Sequence, residues 1–424
     1  MKVVIMAGGR GTRIASIHAD IPKPMIEICG KPILEHQIEC LRKQNLKDII
    51  LVIGYLGNII KEYFGDGKAF GVNIDYIQEE SPLGTAGALY FLKDRIQGDF
   101  LLINGDIIFN VDIERFYEIH LSKAALVTIL THPNDHPYDS GVIVSNAQGR
   151  VVKWYTKEEE RSWYKNRVNA GLHFISSKLL QRFKTVEKRD LDRDVLKPLI
   201  EEGELYVYDS PEYVKDMGTP ERFFAVSRDI ESGLVERKNL MQKQKAIFLD
   251  RDGTINKYVG FLDNIGDMEL IEGADKAIEK INQSGYLAIV ITNQPVIARG
   301  EVSLEELQNI HNKMETLLGR AGAYVDDIFY CPHHPDKGFL NERPEYKINC
   351  TCRKPKPGLF LQASKKYNID LKKSWMIGDG KNDIVAGKNA GCRTVLLGDG
   401  IKDYGQTLTA QNLLQAVEII LDRR

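Results

Sequence analysis

The chain has 424 residues, of which 43% are hydrophobic and 27% are charged, and its formal net charge is −2. This length suits two or three domains of about 100 to 200 residues each. The balanced charge excludes the strongly basic surface expected of a nucleic-acid-binding or membrane-surface protein, so any anion must be bound by local sites.

The chain begins with MKVVIMAGG, which runs directly into a predicted strand without the layout of a signal peptide. No later apolar run approaches the about 18 residues that a membrane span needs. We therefore expect a cytoplasmic protein that acts on small molecules and has no nucleic-acid or membrane partner. The sequence leaves the choice between a monomer and a homo-oligomer open.

Up to about residue 130, short apolar runs such as VVIM and DIILVIG alternate with helical patterns such as ILEHQIECLRKQ. This alternation is typical of a parallel sheet covered by helices, whose ligands bind at the carboxyl ends of the strands. From about 150 to 220 the pattern is less regular. We predict strands in VVKWYTKEEE, VNAGLHFI and ELYVYD there, and we interpret this part as a substrate-side extension of the first domain.

The charged segment RDIESGLVERKNLMQKQK is interpreted as a linker, with the last helix of the first domain as the alternative. After it the alternation restarts with the strand KAIFLD, and Ser303 and Glu306 predict a capping box at a later helix. The predicted fold class is α/β, with two domains that are each a mainly parallel Rossmann-like sheet flanked by helices. The predicted boundaries are a first domain at 1–235, a linker at 236–244 and a second domain at 245–424.

The loop AGGRGTR follows the first strand. Its glycines allow several backbone N–H groups to converge on phosphate oxygens, and Arg13 adds a charged fork. A glycine-rich turn after a strand is often only tight packing. Lys23 makes phosphate binding the better interpretation. The prolines on both sides fix its backbone, and a lysine that is only a solvated surface charge would not need a fixed backbone.

The motifs G-G-x-G-T-R, P-K-P-M and KPILEHQI together resemble the sugar-phosphate nucleotidylyltransferases over about residues 1–235. Transfer to the α-phosphorus brings two polyanions together, so it needs Mg²⁺ held by carboxylates and cations around the pyrophosphate. Each aspartate has an alternative role in a turn or a helix cap. The resemblance implies a nucleoside triphosphate site of Gly8, Gly9, Gly11, Thr12, Arg13 and Lys23, base and ribose contacts from Gln78, Gly84 and Thr85, and Mg²⁺ ligands Asp106 and Asp216.

The sugar side departs from this family at one position. The family usually has a glutamate before the lysine that binds the sugar phosphate, whereas here Thr156 precedes Lys157. Lys157 is still the candidate for that contact. VNAGLHF matches the N-x-G sugar contact of the family, which implies substrate binding by Asn169 and Gly171.

In the second domain, FLDRDGT places Asp250 and Asp252 two residues apart, so in an extended chain both point the same way. One carboxylate can then attack phosphorus while the other moves protons. A surface turn rich in aspartate and glycine is the alternative. Further along, LAIVITN ends at Thr292 and Asn293, CRKPKPG supplies Lys354 between arginine and proline, and GDGKND supplies Asp379 and Asp383.

This order of motifs resembles the haloacid dehalogenase superfamily of phosphatases. The resemblance implies that Asp250 is the nucleophile and Asp252 the acid and base. It further implies that Thr292 and Lys354 bind the phosphoryl group, and that Mg²⁺ is held by Asp250, Asp252 and Asp379. Asn293 and Arg353 are further candidates for substrate binding.

Three of the six cysteines cluster in CPHH and CTC, and scattered cysteines plus one cluster indicate a metal in a reducing compartment. Cys331, His333, Cys350 and Cys352 form the set of a closed structural zinc site. His334 is the competing imidazole, and buried unligated cysteines are the other alternative. The zinc loop resembles the heptose 1,7-bisphosphate phosphatases and the histidinol phosphatases over about residues 245–400, except that Pro295 and Val296 stand where those proteins usually have Ser-Gly.

Together the halves resemble bifunctional heptose 1-phosphate guanylyltransferase/phosphatase proteins, which make GDP-heptose. This resemblance implies that the second domain removes the 7-phosphate of a heptose 1,7-bisphosphate. The first domain would then transfer GMP from GTP to heptose 1-phosphate, both sites using Mg²⁺. Three alternatives remain: a mannose-type or other hexose-type transferase joined to a histidinol-type phosphatase, the use of ATP or CTP, and a binding protein with one dead site.

Overall fold

The computed structural model describes residues 1–9 and 21–423 and divides the chain into two compact units. The first unit comprises Met1–His132, Ile143–Trp154 and Asn169–Asn239. The second comprises Pro133–Val142, Tyr155–Val168 and Leu240–Arg424. Two segments that precede residue 235 in the sequence thus belong to the second unit.

The first unit is built on one large sheet with helices on both faces. The strands of this unit are β1 (Lys2–Met6), β2 (Glu27–Ile28), β3 (Lys31–Pro32), β4 (Asp48–Ile53), β5 (Asn73–Gln78), β6 (Asp99–Asn104), β7 (Ile107–Asn110), β8 (Val127–His132), β9 (Val142–Ser145), β10 (Val151–Tyr155), β11 (Val168–Ser176), β12 (Leu205–Asp209) and β13 (Tyr213–Asp216). Of these, β2 pairs with β3, and β13 pairs with β7, outside the large sheet. Its α-helices are α1 (Ile33–Lys43), α2 (Gly57–Phe64), α3 (Ile113–Lys123), α4 (Ser177–Leu180), α5 (Pro198–Glu202), α6 (Pro220–Glu231) and α7 (Leu234–Arg237).

The first strand lies inside this sheet. The order is β10-β9-β11-β6-β1-β4-β5, and β8 pairs with both β11 and β12. β1 is parallel to β4 on one side and to β6 on the other. In such sheets a crevice opens at the carboxyl ends of the central strands, so Gly8 and Gly9, which follow β1, lie where ligands usually bind.

The core follows from the alternation of side chains along β1. Val3 and Ile5 point to one face and pack in the cluster that contains Leu34 of α1, whereas Val4 packs on the opposite face with Leu89. A strand buried on both faces needs a continuous apolar run, and VVIM supplies it.

The second unit contains a parallel sheet whose strands lie in the order β16 (Asp327–Cys331), β15 (Tyr286–Asn293), β14 (Lys245–Leu249), β17 (Trp375–Gly378), β18 (Arg393–Leu397) and β19 (Leu408–Ala410). Within residues 1–9 and 21–423, no helix combines the length and the apolar character needed to cross a bilayer. The predicted α/β class with two Rossmann-like sheets is confirmed, and so is the capping box of Ser303 and Glu306. The α-helices of this unit are α8 (Ala274–Asn282), α9 (Val296–Arg299), α10 (Leu304–Arg320), α11 (Gly358–Tyr367), α12 (Lys381–Ala390) and α13 (Leu413–Asp422).

The segment interpreted as a linker is helical only in its first half. Its first residues extend α6, and LVER forms α7. Leu234, Val235 and Leu240 are buried, so these few apolar residues anchor the segment to the protein. The sequence analysis undervalued them because they are few within a segment that is mostly polar and charged.

Helix α10 holds the segment Tyr155–Val168 through buried polar contacts inside the second unit. Arg167 Nη1 lies 3.4 Å from Glu315 Oε2, with only 4% and 3% of the two side chains exposed. The Asn166 N–H also donates to Glu315, at 3.1 Å. The Tyr164 N–H donates to the Thr316 hydroxyl at 2.9 Å. Burial raises the pKa of Glu315, although Arg167 opposes this.

We expect Arg167→Met to destabilise the second unit by about 3 to 5 kcal/mol, because it leaves the Glu315 carboxylate buried without its counter-charge. Urea unfolding followed by the fluorescence of Trp163 and Trp375 would measure this. Lys257→Met is the control, because it breaks the exposed ion pair with Glu269 and should change little. Equal effects of the two substitutions would contradict the role given to Arg167.

Candidate active sites

A cavity of about 780 Å³ lies at the carboxyl ends of β1 and β6 in the first unit. Gly11, Thr12 and Arg13 lie outside the described residues. The cavity has room for a nucleotide and carries polar groups on several strands, as small-molecule sites do. Seven of the residues predicted for the nucleotide and metal sites line it: Gly8, Gly9, Lys23, Gln78, Gly84, Thr85 and Asp106.

The two predicted magnesium ligands of this unit occupy neighbouring positions. Strand β13 is antiparallel to β7 and places Asp216 opposite Ile107, the residue after Asp106. The N–H of Met217 donates to the Asp106 carbonyl at 3.3 Å. The Asp106 carboxylate is 2.5 Å from Lys23 Nζ, and Arg222 Nη1 is 3.0 Å from both Asp216 carboxylate oxygens. Adjacent carboxylates supply the oxygen ligands that Mg²⁺ prefers, so these residues fit such an ion.

The stretch with Gly84 and Thr85 is fixed by its own packing. Gly84 has φ +76°, and a Cβ there would lie 2.4 Å from the Arg189 carbonyl oxygen. The Thr85 hydroxyl accepts a hydrogen bond from the Leu191 N–H at 2.7 Å. These packing contacts are by themselves a reason for a glycine and a threonine at these two positions. Both residues also line the cavity.

The predicted sugar contacts fall into different units. Asn169 and Gly171 are in the first unit, where Asn169 Oδ1 accepts the Gly171 N–H at 3.0 Å. Gly171 has φ +78°, and a Cβ there would lie 2.8 Å from the Asn104 amide nitrogen. Lys157 is in the second unit, 62% exposed and 3.8 Å from Glu158.

In the second unit, three carboxylates meet at the carboxyl ends of β14 and β17. Asp250, Asp379 and Asp383 each offer an oxygen, and these oxygens all lie within 4.8 Å of one another. Lys354 Nζ is 2.7 Å from Asp250 and 2.6 Å from Asp383, and only 3% of this side chain is exposed. Burial and the negative charge of Asp383 raise the pKa of Asp250 to about 7, and Lys354 opposes them. The oxygen donors and the excess negative charge fit Mg²⁺.

Asp252 was predicted as a magnesium ligand, but the structure places its side chain outside this cluster. Arg251 Nη2 donates to both of its oxygens at 2.9 Å, Gln294 donates to Oδ2 at 3.0 Å and Asn256 donates to Oδ1 at 3.0 Å. β14 ends at Leu249 and the chain then turns, but the Asp252 carboxylate stays near the cluster, since its negative charge adds to the effect of burial in raising the pKa of both Asp250 and Asp379. Asp383, which the sequence indicated without assigning it to the metal, occupies the cluster instead.

The other predicted residues surround Lys354. The side chain of Asn293 accepts the Lys354 N–H at 2.9 Å and donates to the Lys354 carbonyl at 3.0 Å, so it positions the lysine backbone. The Thr292 hydroxyl accepts from Gln294 at 2.8 Å. Arg353 donates to the His333 carbonyl at 3.1 Å. Gln294 is a residue that sequence reasoning missed, since it links Thr292 to Asp252, and its only signal was its place directly after the T-N motif.

Pro295 and Val296, which stand where related phosphatases usually have Ser-Gly, are accommodated by local packing. Pro295 is the N-cap residue of α9, and Val296 is buried in a cluster with Ile297, Val302 and Leu307. These side chains stabilise the loop from inside the unit.

The predicted zinc ligands form a compact group. Cys331, His333, Cys350 and Cys352 have ligand atoms within 4.8 Å of one another. Cys331 Sγ is 3.5 Å from Cys350 Sγ and 3.3 Å from Cys352 Sγ, and His333 Nδ1 is 3.3 Å from Cys352 Sγ. These separations approach the edges, about 3.8 Å, of a tetrahedron with Zn–S bonds of about 2.3 Å. The competing His334 lies instead 3.7 Å from Asp336. The group could therefore bind a metal ion.

Comparison with known proteins places the two parts of the chain in enzyme families. Residues 2–233 match the family model "Nucleotidyl transferase", and residues 351–417 match a HAD-hydrolase-like model. The D-glycero-beta-D-manno-heptose-1,7-bisphosphate 7-phosphatase of Haemophilus ducreyi is 43% identical over 155 residues, which are 36% of this chain and 82% of that protein. The alpha-anomer 7-phosphatase of Photorhabdus laumondii is 46% identical over 149 residues, 35% of this chain and 79% of that protein.

For the transferase, the mannose-1-phosphate guanylyltransferase of Mycobacterium tuberculosis is 30% identical over 234 residues, 54% of this chain and 65% of that protein. The protein is thus an enzyme with an N-terminal nucleotidyltransferase part and a C-terminal HAD-type phosphatase part. The chain belongs to the nucleotidyl transferase family and, through its phosphatase part, to the family of heptose-1,7-bisphosphate 7-phosphatases. The enzyme class predicted from the sequence is confirmed.

We expect Gly253→Ala to lower phosphatase kcat/KM by about 100-fold, because an Ala Cβ would lie 2.2 Å from Asp379 Oδ2 and push this carboxylate away. Steady-state release of orthophosphate measures the loss. Gly260→Ala is the matched control, since Gly260 has the same φ of +83° but no atom within 4 Å of an added Cβ. Equal losses in both variants would assign the effect to backbone strain and contradict the Asp379 contact.

Proposed function

We propose that the two units catalyse consecutive steps on one sugar. The second unit hydrolyses the 7-phosphate of D-glycero-D-manno-heptose 1,7-bisphosphate and leaves heptose 1-phosphate. The first unit then transfers GMP from GTP to this phosphate and releases pyrophosphate. The observation that carries the proposal is the cluster of Asp250, Asp379 and Asp383 around Lys354, in a chain 43% identical to a 7-phosphatase over most of that protein's length.

In the phosphatase reaction, Asp250 attacks phosphorus and the bond to the sugar C7 oxygen breaks. Asp252 donates a proton to that oxygen and later takes one from the water that hydrolyses the aspartyl phosphate. Arg251, Gln294 and Asn256 orient Asp252, and Thr292 and Lys354 bind the phosphoryl oxygens. A Mg²⁺ ion held by the three clustered carboxylates would supply positive charge against the phosphoryl group.

In the transferase reaction, an oxygen of heptose 1-phosphate attacks the α-phosphorus of GTP in line with the leaving pyrophosphate, so no side-chain nucleophile is needed. Asp106 and Asp216 would hold Mg²⁺, which would supply positive charge against the phosphates. Lys23 and Arg13 would stabilise the charge of the leaving group, while Gly8, Gly9, Gly11 and Thr12 bind phosphate oxygens. We assign the sugar contacts to Asn169 and Gly171, and Lys157 stays a prediction for the sugar phosphate.

Mannose 1-phosphate should be tested in parallel as the acceptor of GMP, because the transferase relative above is named for it. The phosphatase relatives are named for both the alpha and the beta anomer. The assay should therefore compare different sugars and both anomers. It should also include histidinol phosphate, because a histidinol-type phosphatase is the other alternative for the second unit. The cytoplasmic location stays a prediction.

Two variants separate the proposed steps. With heptose 1,7-bisphosphate, GTP and Mg²⁺, we expect Asp250→Asn to lower orthophosphate release by at least about 1,000-fold, because the nucleophile is lost. The same variant should still release pyrophosphate from heptose 1-phosphate and GTP. Asp216→Asn should show the reverse pattern. Orthophosphate release from histidinol phosphate but not from the heptose bisphosphate would overturn the assignment.

We also propose that the Cys331, His333, Cys350 and Cys352 group binds one structural Zn²⁺ per chain. Cys352→Ser should then lower both the zinc content and the melting temperature of the second unit, because three ligands hold the ion less tightly than four. Metal analysis and calorimetry measure these changes. Cys392→Ser, a buried thiol outside the group, should keep its zinc. A fully reduced wild-type protein without bound metal would contradict the proposal.

A further inference from the structure

His311 is a buried titratable residue that the phosphatase reaction proposed above does not use. It lies on α10, and only 2% of the residue is exposed. Its ring packs against the ring of Tyr330, with 5.6 Å between the two centroids. Arg251 Nη1 lies 3.1 Å from His311 Nε2. The imidazole therefore contacts the residue that stands between Asp250 and Asp252 in the sequence.

The chemistry of the two groups fixes the direction of this hydrogen bond. A guanidinium group has only N–H donors, so Nε2 of His311 accepts and the ring proton is on Nδ1. A protonated imidazole has no acceptor and would place a second positive charge beside Arg251. Burial and the charge of Arg251 lower the pKa of His311 well below its usual value, which keeps the ring neutral. His311 is therefore a hydrogen-bond acceptor in this structure.

All three nitrogens of the Arg251 side chain are hydrogen-bonded. Nε donates to Asp252 Oδ1 at 3.1 Å, and Nη2 donates at 2.9 Å to both Asp252 oxygens and to Gln294 Oε1. Nη1 donates to His311, its only partner among residues 1–9 and 21–423. The Arg251 side chain is fully buried, so water cannot replace a lost acceptor. Without the imidazole, Nη1 would stay buried and unpaired unless the guanidinium moved.

The position of the Asp252 carboxyl group depends on this guanidinium. Arg251 contacts both of its oxygens, whereas Gln294 and Asn256 contact one oxygen each. All three partners are buried, and 20% of the Asp252 side chain is exposed. The carboxyl group is thus held from the protein interior and remains accessible to a substrate.

We propose that His311 is a positioning residue for proton transfer by Asp252 and acts through Arg251. As Asp250 forms its bond to phosphorus and the bond from phosphorus to the C7 oxygen breaks, the Asp252 carboxyl group passes its proton to that oxygen. The carboxylate that remains is stabilised by two-fold donation from Arg251. A displaced guanidinium would aim this carboxyl group wrongly. The inference rests on the proposed phosphatase reaction and adds the residue that fixes Arg251.

A leaving group that needs no proton separates positioning from a purely structural role. Dinitrophenolate departs as an anion, whereas a sugar alkoxide has to be protonated. With full-length protein and Mg²⁺, we expect His311→Leu to lower kcat/KM for heptose 1,7-bisphosphate by about 10- to 100-fold, but for dinitrophenyl phosphate by less than about threefold. The ratio kcat/KM reports the steps up to release of the leaving group, so later hydrolysis of the aspartyl phosphate does not enter the comparison.

Other variants at and near this position serve as controls. His311→Gln can place an amide oxygen near the position of Nε2 and should stay within about threefold of wild type on both substrates. Met314→Ala removes another buried side chain of α10 and lowers stability, but it should keep the wild-type ratio between the substrates. His311→Asn is too short to reach Arg251, and it replaces His311→Leu if that variant does not fold.

Equal losses on both substrates in His311→Leu overturn the inference. A His311→Gln variant as impaired as His311→Leu does the same, because the acceptor would then be irrelevant. If heptose 1,7-bisphosphate is not hydrolysed, histidinol phosphate takes its place as the alkyl ester. A dependence on the leaving group would then support His311 while the proposed sugar is wrong.

Asp252→Asn separates the inference from the proposed reaction. This variant should show the same dependence on the leaving group, with a larger loss on the sugar phosphate. If Asp252→Asn shows the dependence and His311→Leu does not, the reaction stands and the inference is wrong. If Asp252→Asn lowers both kcat/KM values equally, the acid role of Asp252 is wrong and the inference fails with it.

Discussion

The ion pairs of Lys354 with Asp250 and Asp383 are the interaction on which the phosphatase site depends. Three carboxylates whose oxygens lie within 4.8 Å repel one another, and burial makes that repulsion stronger than it would be in water. One ammonium group 2.7 and 2.6 Å from two of them offsets part of this cost. The site therefore keeps its geometry while leaving enough negative charge to attract a divalent cation.

The first unit meets the same electrostatic requirement with different residues. There Lys23 pairs with Asp106 at 2.5 Å, and Arg222 pairs with Asp216 at 3.0 Å. Both lysines stand next to proline, and in both units the paired aspartate follows a central strand of a parallel sheet. A proline restricts the backbone beside it, so the cation is held in place before a phosphate arrives. Preorganised charge of this kind does not have to be assembled at the moment of reaction.

Sequence predicted best what depends on local pattern. Apolar runs identified β1 and β14, and spacing identified the Cys331, His333, Cys350 and Cys352 group, because a strand or a metal loop is specified by residues close in the chain. Asp383 was different. Its place in the cluster depends on which side chains from other parts of the chain stand beside it, such as Lys354. No local spacing contains that information.

The boundary between the units shows a further limit of reading along the chain. Composition placed one break near residue 240, yet Tyr155–Val168 belongs with α10 through Arg167, Glu315 and Thr316. The charge pair is buried, so its partners cannot be separated without exposing or stranding a carboxylate in the protein interior. A fragment that starts at residue 245 would lack Arg167 and the Tyr164 backbone and would leave Glu315 and Thr316 uncovered. The second unit is therefore completed by residues that lie far upstream of residue 240 in the sequence, which no local pattern indicates.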